Sequence, residues 1–215
     1  ALACGDLTSL RQENPSQISA ISLYVPGNAQ LLVNGAIADF ECAYSRYVVG
    51  SGLLGDELID AIANTANYDY DRRTVLPTSA YAGGCGTLQQ PGIYTSLSTA
   101  RGTADTALAR FEGWTDAQVP NRTKLMGQLA AYAGYSIVLL GEGMCTAAIN
   151  VGPEVAPAAL FTEAVARFDK AIKFAKESGD PEMELVAAVY ENMPTSGKKP
   201  PQPMIDPQAQ PVGTK

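Results

Sequence analysis

The chain has 215 residues, 46% of them apolar and 17% charged, with a net charge of −7 and no histidine. The length suits one hydrophobic core, and the negative charge argues against binding to nucleic acid or a purely electrostatic hold on anionic lipid, which both need clustered Lys and Arg. Without histidine the chain cannot build a Ser-His-Asp or Cys-His nucleophile pair or a His-rich metal site. We therefore expect a binding protein with no catalytic residues, no metal and no cofactor, while an enzyme that uses only carboxylates stays open.

The first residues resemble the end of a bacterial lipoprotein signal peptide. In Leu2-Ala3-Cys4-Gly5-Asp6, small residues precede a cysteine of the kind that is cleaved on its amino side and acylated. We expect an exported protein, periplasmic or at the cell surface, that a lipid on Cys4 anchors to the membrane, with residues 1–27 as an extended anchor segment. The other interpretation is a chance cysteine near a terminus.

The remaining cysteines, Cys42, Cys85 and Cys145, are widely spaced, and none belongs to a Cys-x-x-Cys pair. A zinc ribbon or a thioredoxin-type site is therefore not expected. Two interpretations remain: disulfides in an oxidising compartment, or small buried thiols in a reducing one. The expected export favours disulfides, and the sequence does not say which cysteines pair.

Apolar residues at spacings of three and four predict a helical domain over residues 28–193. Its first helix follows Asn28, a candidate N-cap, and is predicted to stop at Gly50-Ser51-Gly52. Further helices are predicted over residues 56–63, 99–113, 122–144, 158–177 and 180–192, the last with Asp180 as N-cap. The stretch 64–98 lacks apolar periodicity, and we predict a long mid-chain loop there.

Within that loop, Tyr68-Asp69-Tyr70-Asp71-Arg72 combines aromatic and charged residues and is a candidate ligand loop. Tyr and Asp side chains can stack on a sugar and hydrogen-bond to it. A calcium site needs a glycine turn and a later bidentate Glu, which the segment lacks. The alternative interpretation is a structured loop with an internal Arg–Asp pair.

Residues 194–215 are rich in Pro, Gln, Gly and Lys, a composition typical of a disordered or polyproline-like tail. Ordering such a tail costs on the order of 1 kcal/mol per residue, so it needs a surface to hold it. We expect it to dock onto a partner or onto the protein's own surface. The candidate docking residues are Pro200, Pro201, Pro203, Met204 and Ile205.

The pattern Ala164-x-x-x-Phe168-x-x-Ala171-Ile172 is typical of the second helix of a TPR unit, in which Ala lets two helices approach and Phe fills the gap. The alternative is a generic antiparallel helix pair. Tyr132 to Ser136, Leu140 to Cys145 and Arg167 to Ile172, together with the Leu2-Ala3-Cys4 start, resemble the TPR core of SusD/RagB-like lipoproteins. The resemblance implies a surface-facing outer-membrane lipoprotein that binds glycans and caps a transporter. We expect this chain to be a short form of the family, without most of the material that carries the family's sugar sites.

Together these features predict an all-α fold with TPR-like helical hairpins in a single domain, a long mid-chain loop and an extended Pro-rich tail. The predicted function is a non-catalytic extracytoplasmic scaffold or accessory subunit. It would dock onto a membrane-associated protein assembly, either a transporter or an energy-converting complex such as a photosynthetic reaction centre. The alternative is a SusD-like glycan-binding lipoprotein of a nutrient-uptake system. No nucleic-acid partner is expected.

Overall fold

The structure, a computed structural model, describes residues 18–61, 65–75, 83–85, 92–184 and 187. These residues are mostly helical, which confirms the all-α class. The helices are α1 (Ala20–Leu23), α2 (Ala29–Leu54), α3 (Thr65–Asp71), α4 (Ile93–Glu112), α5 (Arg122–Gly143) and α6 (Pro157–Ser178), with a 3₁₀ turn at Pro26–Asn28. Two short antiparallel strands, β1 (Ala147–Ala148) and β2 (Glu154–Val155), form a hairpin between α5 and α6.

Helix α5 is the centre of the packing, because α2, α4 and α6 all contact it. It tolerates three neighbours because small residues occupy much of its surface. At Gly134, a Cβ atom would lie 2.7 Å from the ring of Phe168 on α6, so only glycine permits this approach. Helix α2 lies at the edge of the bundle, where it packs on α4, α5 and α3 and leaves its outer side exposed.

The long periodic helices are where the sequence predicts them. Helix α5 ends one residue before the predicted Met144, and α6 extends the predicted range by one residue at each end. Asp180 caps a following helical turn, since its Oδ1 accepts a hydrogen bond from the backbone N–H of Met183 at 3.2 Å. That hydrogen bond is the main reason why the pKa of Asp180 is lowered.

The predicted stop of α2 at Gly50-Ser51-Gly52 is wrong. The helix continues through Gly50 and Gly52 to Leu54. A Cβ at Gly50 would collide with Ile93 at 2.3 Å, and one at Gly52 with Leu58 at 2.8 Å, so both glycines serve close packing. The predicted helix over 56–63 is also wrong for its described part, because residues 57 and 58 donate their N–H groups to the carbonyl of Gly52 and fold back on α2.

The predicted mid-chain loop is shorter than expected. Helix α3 lies inside the predicted range 64–98, and α4 begins at Ile93 instead of Thr99. The remainder of that range, apart from residues 72–75, 83–85 and 92, lies outside the described residues. In the part of the chain that the structure describes, no helix has both the length and the apolar character needed to cross a bilayer.

Candidate functional site

The structure joins Cys42 on α2 to Cys85 in a disulfide. Cys145, which follows α5, is an exposed free thiol, so the prediction that it is a disulfide cysteine is wrong. The link closes a 43-residue separation and ties the chain that follows α3 to the middle of α2. The predicted lipid anchor Cys4 and the docking tail lie outside the described residues; the tail residues are Pro200, Pro201, Pro203, Met204 and Ile205.

The candidate ligand loop is not a loop. Residues 68–71 form the end of α3, and the guanidinium of Arg72 stacks over the ring of Tyr68 at 4.5 Å. Tyr70, by contrast, is buried, with 2% of its surface exposed. The two tyrosines therefore do not form a common platform. Among the residues that the structure describes, no three His, Cys, Asp or Glu side chains come together to hold a metal, so Asp69 and Asp71 do not build a cation site there.

Tyr70 contributes instead to the wall of a cavity of about 590 Å³ between α2, α3, α4 and the end of α5. Cavities of this volume commonly bind small molecules. The hydroxyl of Tyr70 is buried and has no hydrogen-bond partner among the described residues. Burial raises the pKa of Tyr70, and the charge of Asp69 raises it further, while the nearby backbone N–H of Ile93 lowers it. The cavity is lined by Tyr47, Ser51, Leu54, Gly55, Tyr70, Arg73, Val75, Ile93, Glu142, Gly143 and Met144.

A second phenol, that of Tyr47, lies next to the carboxylate of Glu142 in the wall of this cavity. The hydroxyl of Tyr47 donates a long hydrogen bond of 3.5 Å to Oε2 of Glu142. Burial raises the pKa of Tyr47, and the charge of Glu142 adds to the effect. Arg73 is already engaged, because it pairs with Asp56 and its Nε donates to the carbonyl of Leu54 at 3.1 Å. The cavity therefore offers the hydroxyl of Tyr47 and the carboxylate of Glu142 beside an apolar wall, whereas the hydroxyl of Tyr70 is buried out of reach. The accessible pair is suited to hydrogen-bonding a small polar ligand.

A partly buried ion-pair network links α4 to α6, and none of its residues lines this cavity. Nη1 of Arg101 donates to Oδ2 of Asp105 at 2.9 Å and to Oδ1 of Asn150 at 3.1 Å. Arg167 on α6 reaches the same oxygen of Asp105 at 3.3 Å and also pairs with Glu163. Burial lowers the pKa of Arg167, and these two carboxylates outweigh that effect and raise it. Two arginines pair with two carboxylates, and Arg101 also bonds to Asn150, so the network links α4, α6 and the β1–β2 turn.

Sequence reasoning missed this network, although two of its pairs have the i,i+4 spacing of helical ion pairs.

Exposed apolar side chains are concentrated in one stretch of the chain, on and around α2. Eleven large apolar side chains are exposed in the described residues, and ten of them lie between Ile18 and Ile59. The exception is Val151, in the turn between the strands. We call this region the α2 surface; its members are Ile18, Ile21, Val25, Leu31, Tyr44, Val48, Val49, Leu54, Leu58 and Ile59.

Compared with known proteins, this chain matches no family model, no curated protein and no solved structure.

Proposed function

We propose that the chain is a non-catalytic, exported accessory subunit that docks onto a membrane-associated protein assembly, either a transporter or an energy-converting complex such as a photosynthetic reaction centre. The observation that carries this proposal is the α2 surface, which holds ten of the eleven exposed large apolar side chains of the described residues. Scattered exposed apolar residues are normal, whereas their concentration around one helix is typical of an interaction site.

We propose that α5 and α6 form a TPR-like pair, and the burial pattern of α6 supports this part of the docking role. Ala164, Phe168 and Ala171 of the TPR-like pattern are all buried, and Phe168 fills the space that Gly134 leaves open. TPR-type helix pairs present extended surfaces to protein partners. The proposed kinship with SusD/RagB-like lipoproteins rests on the same residues.

Export is supported by the disulfide between Cys42 and Cys85, since disulfides persist in oxidising compartments. The proposed anchor is a lipid on Cys4. Intact mass spectrometry of the native protein tests it directly: we expect the mass of acyl groups on Cys4, and an unmodified Cys4 would remove the anchor.

Gentle purification of the full chain from its native membranes tests the proposed function. We expect the chain to elute as part of a defined complex, with a partner in constant ratio, at a size well above its own 22.6 kDa. Deletion of residues 194–215 is expected to weaken this association, because the tail is proposed to contribute to docking. Elution as a lone monomer under all gentle conditions would contradict the proposal.

Glycan binding is the second candidate, and the cavity beside Tyr70 favours it. One sugar hydroxyl can accept the O–H of Tyr47 while another donates to Glu142. The test is calorimetric titration with oligosaccharides, comparing the wild type with Tyr47→Phe, which removes only the hydroxyl, and with Tyr44→Phe as the matched control on the same helix, outside the cavity lining. We expect Tyr47→Phe alone to lose at least about tenfold in affinity. No saturable binding by the wild type, or equal binding by Tyr47→Phe, would exclude a glycan site in this cavity.

A further inference from the structure

The sequence contains no charged residue between Glu13 and Asp39, a run of 25 uncharged residues. At the 17% charge of the whole chain, a run of this length would hold about four charged residues. Its described part, residues 18–38, comprises α1, the 3₁₀ turn and the first ten residues of α2, and we call it the N-terminal corner. The corner's own residues therefore carry no charge.

The corner is held in place by its own hydrogen bonds. Nδ2 of Asn28 donates to the carbonyl of Ser22 at 3.0 Å and to that of Leu23 at 3.1 Å, so α1 is fixed to the start of α2. On this frame Ile21 is 89% exposed and Leu31 is 53% exposed. The apolar side chains are thus presented to solvent by an ordered backbone.

We propose that the N-terminal corner is the part of the α2 surface that docks, and that it receives an uncharged apolar surface of a protein partner. This inference rests on the proposed function. The guanidinium of Arg110 on α4 lies against the corner at Tyr24. Around Ile21 and Leu31 the corner's own residues are uncharged, so a charged group brought there would lose its hydration without gaining an opposite charge from them, which is costly. The centres of protein interfaces are depleted of charge in the same way.

A protein surface fits the corner better than a bilayer does. Segments that bind the membrane interface use Trp or Tyr together with Lys or Arg. The corner's one aromatic residue, Tyr24, is half-buried under the guanidinium of Arg110 at 5.2 Å. Cys4 precedes Ile18 by 14 residues, at most about 50 Å of chain, so a lipid on Cys4 would keep the corner near partners in the same membrane.

The test measures binding to native membranes from cells that no longer make the chain. The added protein is the full chain carrying Cys4→Ser, which lacks the proposed lipid anchor. We expect saturable binding that changes little with salt. We expect Ile21→Lys to weaken it by at least about tenfold, and Leu31→Lys to do the same. Both residues are exposed, so both variants should keep the wild-type circular dichroism spectrum.

The matched controls are Val151→Lys in the β1–β2 turn and Ile59→Lys at the far end of the α2 surface, which are 106% and 82% exposed in the wild type. We expect both to bind as the wild type does. Equal binding by Ile21→Lys and Leu31→Lys, or loss of binding in Ile59→Lys alone, would overturn this inference and leave the proposed function standing. Equally tight binding to vesicles of the extracted lipids would make a bilayer the occupant and also overturn it. No binding of any form to native membranes would overturn both proposals.

Discussion

The contact between α5 and α6 leads to a prediction whose sign depends on one neighbouring side chain. In the substitution Gly134→Ala, the new methyl group would lie 2.7 Å from Cε1 and 2.8 Å from Cζ of Phe168. Favourable carbon contacts are about 3.5–4.0 Å. The Phe168 ring is fully buried and packs against the ring of Tyr135 with centroids 5.2 Å apart, so it cannot simply turn outward.

The magnitude follows from two opposing terms. Overpacking a core contact costs about 1–3 kcal/mol, whereas replacing a mid-helix glycine by alanine gains about 1 kcal/mol. Gly134→Ala should therefore lower the free energy of unfolding by up to about 2 kcal/mol. In a Phe168→Leu background the two colliding ring atoms are gone, and Gly134→Ala should instead raise stability, by about 1 kcal/mol.

Urea unfolding followed by far-UV circular dichroism measures the four proteins of this cycle. Gly102→Ala on α4 is the matched control, because nothing lies within 4 Å of its new Cβ; it should stabilise both backgrounds equally, by up to about 1 kcal/mol. If Gly134→Ala stabilises the wild type as much as Gly102→Ala does, α5 and α6 are not as close as the structure places them.

Three further predictions concern stability. Replacing Cys42 and Cys85 by Ser should lower the free energy of unfolding by about 4 kcal/mol, the loop-closure value for a 43-residue separation; urea unfolding with and without reductant checks this, and an unchanged midpoint would contradict it. Asp105→Ala leaves Arg101, with 7% of its side chain exposed, without a carboxylate, while Arg167 keeps Glu163; it should cost about 3 kcal/mol in the same assay, the lower end of the range for a broken buried pair, whereas Asp116→Ala, which breaks an exposed pair, should cost at most about 1 kcal/mol. Since the pKa of Asp180 is lowered in the folded state, its contribution is present above its ordinary value of 3.8 and is lost as pH falls through the folded value; the stability gap between the wild type and Asp180→Ala should therefore be constant at neutral pH and shrink in acid, and a gap independent of acid pH would contradict this.

Features with strong local signals were predictable from the sequence. The periodicity of α5 and α6 continues over six turns, and the Asp180 cap needs only its own helical turn. Glycine is ambiguous at this level, because Gly50 and Gly52 give the same signal for a turn and for close packing. The structure decides between them by placing Ile93 and Leu58 against α2.

Features that join distant parts of the chain could not be predicted. Helix α3 lacks apolar periodicity, and Tyr70 is buried through its contacts with α2 and α4. The cavity combines Tyr47, Tyr70 and Glu142, which are 23 to 95 residues apart, so no local motif marks it. The pairing of Cys42 with Cys85 has the same character, since spacing alone does not select a partner.

The solvent accessibility of the α2 surface in native membranes tests the docking account most directly. Leu31→Cys in a Cys145→Ser background, which removes the exposed native thiol, adds one thiol to the chain. The Cys145→Ser parent gives any labelling due to Cys4, and the matched control carries Val151→Cys. A membrane-impermeant maleimide should label Leu31→Cys at least about tenfold more slowly in native membranes than in the purified chain, while Val151→Cys reacts equally in both. Equal rates for Leu31→Cys in the two settings would show that this surface is uncovered in its native assembly and would contradict the account.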